Sequence, residues 1–559
     1  MKNISFLLII SILLSSCGYN TRLQRELEKE DNLIQVLITS VDSEHIKVEF
    51  QFPSFESDSI NFCFPSKLPG VNKHVDFTDN IRLFKVYTVD GKPIHFTRKK
   101  NIYKIDGKKS RKIEYIVSNI LEEKGENYTK LPSISFTFSE NMNIINFGAI
   151  LGYFANKENI KYQVSISLPS MSSTEVLEYE DYYSMLDNPF FSCSKTDTQQ
   201  FTINDTEFFI DVAQATSYDA TYIKNTIYDY LVYVKNNMTL LDNVPNYHFY
   251  FYFQKKNFYS AALEHRTSSF YCLQELPIEQ FNIQLLYLVS HELLHLMRPL
   301  NYCSSLDHPF QFNDSSFTSH LWFYEGVTDY LSLKHLFKSK ILSEQEYFKA
   351  LGMRLFSTSE QSVNLLDLSK NILNKENSSM FFYNNATISA LYMDDILLDK
   401  SNKNIDLEHF VLKFQKKKRI FKEETFLDSL NLEFREITDK KIQDYLISND
   451  FLNKTTLKGL GLKLTQKVKR EIQRNYFTEM EFIAENNDTL TLLDKNSKHF
   501  YYIVNNKIIK EELLFPKNGK PIEIECYSND TIIRKSIKPK IISICSIDKE
   551  YDVLLSDST

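Results

Sequence analysis

The chain has 559 residues, with 65 Lys and Arg against 72 Asp and Glu and a formal net charge of −7. No dense basic block interrupts that balance, which argues against nucleic acid as a partner. The length exceeds what one hydrophobic core sustains, so several domains are expected.

In chain order, residues 1–17 have the layout of a secretion signal. Lys2 supplies the positive start, and residues 6–14 form an apolar core too short for a stable membrane span. Leu14-Ser15-Ser16-Cys17-Gly18 resembles the bacterial lipobox, in which the cysteine becomes the lipidated first residue of the mature chain. An ordinary signal peptide with a chance cysteine is the alternative. The expectation is a lipoprotein of the bacterial cell envelope, anchored at Cys17 in the outer membrane, with its body outside the cytoplasm. Residues 18–33 are polar and charged and read as a tether. No later stretch is long and apolar enough to span a bilayer. The seven cysteines are scattered, with no Cys-x-x-Cys pair, which speaks against a cysteine-based zinc or redox site. Disulfide pairing among them is left open.

From 34 to 175 short runs alternate with period two, as in Ile46-Lys47-Val48-Glu49-Phe50-Gln51-Phe52, and this predicts an N-terminal β-sandwich-like domain. Residues 176–450 form the expected catalytic domain, mostly helical from about residue 200. Within them, Tyr247-His248-Phe249-Tyr250-Phe251-Tyr252-Phe253 reads as an aromatic strand, and 344–356 and 388–398 as amphipathic helices. Residues 451–559 return to strand patterns and predict a small β-rich domain. The fold class is thus multidomain α+β.

The chemistry concentrates in His291-Glu292-Leu293-Leu294-His295 and, 30 positions further on, Glu325. On a helix, positions i and i+4 share a face, so the two imidazoles can meet one ion. The mostly apolar run 281–290 predicts a buried helix carrying them, ended by Pro299. Glu325 lies on a second helix-compatible run, 320–337, and supplies a third ligand with one position left open. Glu292, one place round from His291, is placed for general-base work. Asp329, one turn after Glu325, is either a group orienting a ligand histidine or a solvated helix acid.

With these residues in hand, the chain resembles the glycyl aminopeptidase family of thermolysin-like zinc peptidases (gluzincins). Ser260-Ala261-Ala262-Leu263-Glu264-His265-Arg266-Thr267-Ser268 is similar to that family's substrate loop, and Leu321-Trp322-Phe323-Tyr324-Glu325-Gly326-Val327-Thr328-Asp329-Tyr330 to its third-ligand helix. Arg298-Pro299, the Phe62-Cys63-Phe64-Pro65, Pro69-Gly70 and Asp76-Phe77 segments, and Asp181-Tyr182-Tyr183-Ser184-Met185-Leu186-Asp187-Asn188-Pro189 also have counterparts, in the right order. The resemblance implies a Zn²⁺ held by His291, His295 and Glu325, with Glu292 as base. It implies Glu264 as the carboxylate that receives a substrate α-amine, and Tyr383 as the phenol that stabilises the oxyanion. His265 would orient backbone or substrate, or pack in the core. It also implies a C-terminal PDZ-like domain, opened by Leu457-Lys458-Gly459-Leu460-Gly461-Leu462 and including Tyr502-Ile503-Val504-Asn505-Asn506-Lys507. The chain departs from the family pattern at Ala261 and Ala262, where glycines are usual, at Leu293-Leu294 between the histidines, and at Asn385-Ala386 after Tyr383.

The expected activity is zinc-dependent removal of N-terminal residues from peptide substrates. Two alternatives stand beside it: an endopeptidase with the same centre, and a tethered peptide-binding lipoprotein whose metal site is not catalytic.

Overall fold

The computed structural model describes residues 33–447, apart from 72–73, 119–135, 139–141, 194–196, 214, 216, 255–260, 315, 357–362, 372–378 and 417–418; beyond them it describes 456–468 and strands between 480 and 555. The signal segment, Cys17 and the tether up to residue 32 lie outside the described residues, as do Ser260 and residues 504–507 of the PDZ-like turn.

In the N-terminal domain the period-two alternation does what it predicts. Ile34, Val36 and Ile38 of Leu33–Ser40, and Ile46, Val48 and Phe50 of His45–Gln51, are buried while their neighbours face outward. These strands sit in a seven-stranded sheet that runs Glu175–Tyr179, Lys161–Ser167, Leu33–Ser40, His45–Gln51, Ser110–Ser118, Ile81–Thr88 and Pro93–Ile94. A four-stranded sheet includes Ser59–Cys63 and Ile102–Asp106. Aromatic rings join the two faces: Phe50 meets Phe62 edge-on at 5.2 Å, and Phe64 meets Tyr115 at 5.3 Å. The segment 181–189 forms a short helix, Tyr182–Leu186, capped by Asp181.

The region expected to be mostly helical opens with a five-stranded sheet. Its order is Asp197–Ile203, Thr206–Ala213, Asn246–Gln254, Ser268–Gln274 and Ala261–Glu264. The aromatic strand 246–254 is central and parallel to both neighbours. That explains why it reads as a continuous apolar run. Helix α1 (Ala220–Asn237) connects the second and third of these strands, and α2 (Ile278–Leu294), α3 (Val327–Lys338), α4 (Glu344–Phe356) and α5 (Ser379–Lys400) follow the sheet.

Residues 464–552 form a separate compact unit. Its strands Met480–Asn486, Thr489–Asp494, His499–Ile503, Ile522–Ser528 and Thr531–Ile537 pair in chain order as a five-stranded antiparallel sheet. The segment 457–462, expected to open this region, docks onto α5, where Gly459 and Leu460 N–H donate to Asp395 Oδ1 at 2.8 and 3.2 Å.

Candidate active site

Helix α2 is built to be buried. Phe281, Leu285, Val289 and Leu293 recur every fourth residue and are fully buried, each contributing roughly 1.5–3 kcal/mol of apolar burial. The helix ends at Leu294, earlier than Pro299 requires: beyond it the Leu296 and Met297 N–H groups donate to carbonyls three residues back, on Leu293 and Leu294, at 3.1 and 2.9 Å. His291 and His295 therefore stand on the last turn of a rigid element. Glu325 comes from the next segment, where a wide π-helical turn, Trp322–Gly326, leads into α3. Such turns recur at functional sites.

The three side chains converge. His291 Nε2 lies 3.3 Å and His295 Nε2 3.6 Å from the same Glu325 Oε2. All three are buried, and their ligand atoms lie within 4.8 Å of one another. Tetrahedral donors at zinc bond lengths stand roughly 3.4 Å apart, so this two-nitrogen, one-oxygen set fits zinc. The orienting bonds suit the same reading. His295 Nδ1 is 3.0 Å from the Arg298 carbonyl, a bond that needs a proton on Nδ1 and leaves the Nε2 lone pair for a metal ion. His291 Nδ1 faces Asp329 Oδ1 at 4.0 Å. Asp329 is not a solvated acid: it is buried, accepts from Arg354 Nε at 2.9 Å and Nη2 at 3.3 Å, and accepts from Thr387 Oγ1.

Glu292 is buried beside this cluster, and Glu264 with it: ligand atoms of Glu264, Glu292 and His295 also lie within 4.8 Å of one another. Glu264 ends the edge strand Ala261–Glu264, which seats it at the mouth of the sheet facing α2. Tyr383, on α5, donates its phenol to Glu325 Oε2 at 2.9 Å. His265 does not enter the cluster. It is buried with Nδ1 3.4 Å from Asp187 Oδ1, and Asp187 also accepts from the Arg266 N–H at 3.3 Å. His265 and Asp187 thus hold the turn that follows Glu264.

The electrostatics separate these groups. Burial, then the Glu325 charge, raises Glu292 well above the usual carboxylate range. Burial pushes Glu264 up to about 8, with His295 opposing and Glu292 and Glu325 adding to the rise. Burial would lift Glu325 as well, but the charges and hydrogen bonds of His295, His291 and Tyr383 outweigh it and bring it to about 2. Three buried carboxylates this close together call for positive charge. A divalent cation among the ligands is one species of matching charge.

Sequence reasoning missed Arg354 and gave no role to Asp187 within the segment 181–189; both touch the site through other residues. Their distance along the chain leaves no spacing signal.

Residues 284–388 match the family model for the M61 glycyl aminopeptidases, and residues 34–212 match that for the peptidase M61 N-terminal domain. The chain is a peptidase, and the two matched stretches together make up about half of its length. Among solved structures it is similar to an aminopeptidase N family protein from Idiomarina loihiensis, with 17% identity and a TM-score of 0.71 over 94% of this chain and 98% of that one. At that identity the likeness shows a shared fold. A structure of Legionella pneumophila aminopeptidase A in complex with aspartic acid aligns at 10% identity and a TM-score of 0.46, over 94% of this chain and 57% of that one. No curated protein matches the sequence.

Proposed function

We propose that the protein is a zinc-dependent aminopeptidase of the gluzincin type acting on peptides outside the cytoplasm. The observation that carries the reading is the convergence of His291, His295 and Glu325, with Glu292 and Glu264 buried on the same side. Zinc held by the first three would supply Lewis acidity toward the scissile carbonyl. Glu292, a buried carboxylate outside the ligand set, takes a proton from the attacking water and returns it to the leaving amine. Its upward shift suits it to the second role, and a cation beside it suits it to the first. Tyr383, whose single O–H here goes to Glu325 Oε2, would turn it to the developing oxyanion once substrate is bound. Glu264 receives the substrate's α-ammonium, which restricts cleavage to the chain end.

The endopeptidase alternative lacks a use for a buried carboxylate at position 264, and the non-catalytic metal-site alternative lacks a use for Glu292. The test is turnover of matched free and N-acetylated peptides, with and without a chelator. Cleavage of free-amine peptides that stops with the chelator is expected; equal cleavage of both peptide classes would sink the aminopeptidase reading.

The envelope lipoprotein and PDZ-like readings rest on the Cys17 and 457–507 segments and belong to the same proposal. Among the described residues no helix is long and apolar enough to cross a membrane. Cys17→Ala should release the protein from the membrane fraction; unchanged membrane association would refute the anchor.

A further inference from the structure

The turn Leu68-Pro69-Gly70-Val71 of the N-terminal domain lies against the Glu264 carboxylate. The Val71 N–H donates to the Leu68 carbonyl at 3.2 Å and Gly70 has φ +73°, as in a type II turn with Pro first and Gly second. A Cβ on Gly70 would stand 2.8 Å from Leu263 Cδ1 and 3.0 Å from Glu264 Oε2. The turn thus lies against the carboxylate with space for a hydrogen atom and none for a methyl group.

It is also pinned from two sides. Leu68 fills the space beside Gly148, where a Cβ would be 2.4 Å from Leu68 Cδ2. Ser66 and Lys67 N–H both donate to the Phe312 carbonyl, at 2.8 and 3.0 Å. The buried Lys67 Nζ donates to Asp307 Oδ1 at 3.0 Å and to the Ser316 carbonyl at 3.1 Å. Phe312, Asp307 and Ser316 lie on the loop between His295 and Glu325, so the turn is locked to the segment that links the two halves of the candidate metal site.

We propose that Gly70 is a positioning and specificity-determining residue: the Pro69-Gly70 turn forms the wall behind Glu264, fixes its carboxylate toward His295 and Glu292, and shuts the pocket to peptide chain beyond a free N-terminus. This rests on the aminopeptidase reading of Glu264. A backbone wall contributed by another domain converts a groove into a site for chain ends.

The test compares Gly70→Ala with Gly91→Ala, using matched free and N-acetylated peptides and a metal assay. Gly91 has φ +77° in the same domain, and a Cβ added there would meet nothing within 4 Å, so it carries the backbone strain without the contact. Gly70→Ala should keep its metal, raise KM for free-amine peptides by about tenfold or more, and narrow the free-to-acetylated ratio of kcat/KM, because small displacements of a positioning group are costly. Gly91→Ala should keep the wild-type ratio. Should Gly70→Ala not fold, Gly70→Ala/Leu263→Ala removes the nearest clash and is read against Leu263→Ala. Equal ratios in the Gly70 and Gly91 variants would overturn the proposal while leaving the aminopeptidase reading intact. A wild type that does not discriminate between free and acetylated peptides would overturn both.

Discussion

Glu292 and the ligand histidines sit close together on one helix end yet have separable roles. Glu292→Gln keeps the shape of the side chain and removes proton transfer, so metal content should hold while kcat falls by about 10²–10⁴. His295→Ala removes one of three donors, and its metal content should drop to background in elemental analysis. Retained metal in that variant would remove the ligand assignment. Arg354 gives a subtler case. It touches none of the ligands, but its fork holds Asp329, which in turn faces His291. Arg354→Met leaves Asp329 buried without its cation, and metal affinity should fall about 10–100-fold in a chelator competition. An unchanged affinity would mean that Asp329 serves only the fold.

At the scale of elements, the site depends on how closely α3 and α5 approach. Gly326, directly after Glu325, has helical backbone angles, so its glycine is not there for conformational freedom. A Cβ at Gly326 would stand 2.3 Å from Ala386 Cβ and 2.9 Å from the Ala386 carbonyl carbon. Gly326→Ala must therefore push the π-helical turn away from α5, separating Glu325 from Tyr383. Overpacking of this kind costs typically about 1–3 kcal/mol. A lowered Tm with weakened metal binding is expected, and Ala386→Gly should restore part of each, since the backbone contact remains. A Gly326→Ala protein with wild-type metal affinity would show that the turn tolerates displacement. This contact also gives Ala386 a physical reason to be small.

Across the whole of residues 33–463, stability is divided between apolar cores and a few buried ionic clusters. One joins the N-terminal domain to the catalytic region: Lys67 pairs with Asp307 and lies over the Phe310 and Phe317 rings at 5.1 and 5.2 Å. Lys67→Met leaves Asp307 without its cation, which should cost about 3 kcal/mol, the low end for buried pairs because Asp307 is partly exposed. Thermal unfolding should move to lower temperature; an unchanged Tm would show that the aromatic contacts alone hold the junction. A second cluster ties α3 to the helix Leu407–Gln415 through Lys334, His335, Lys338, Asp394, Asp406 and Glu408. Burial would raise Glu408, but the His335 hydrogen bond and charge and the Lys338 charge outweigh it and bring it to about 2; Asp406 is depressed as well. A folded-state value below the unfolded one of roughly 4.3 contributes stability that is present above that pH and is lost as pH falls toward about 2. Tm should fall across that acid window, and less steeply in Glu408→Gln.

The division between sequence and structure follows from range. Period-two alternation in 34–52 and four-residue spacing in 281–293 are local, so strands, the metal-helix candidate and its two histidines were legible from the chain alone. The partnership of His291-Glu292-Leu293-Leu294-His295 with Glu325 was legible too, because both segments have characteristic residue types at a short separation. The five-stranded sheet within 197–274 was only partly visible: its central strand is apolar on both faces, and periodicity cannot assign such a run to one element type. Only the tertiary structure shows Gly70 behind Glu264, Arg354 beneath Asp329, and His265 turned toward Asp187. Each is a contact between elements far apart in sequence, decided by side-chain volume and packing direction, which no local pattern encodes.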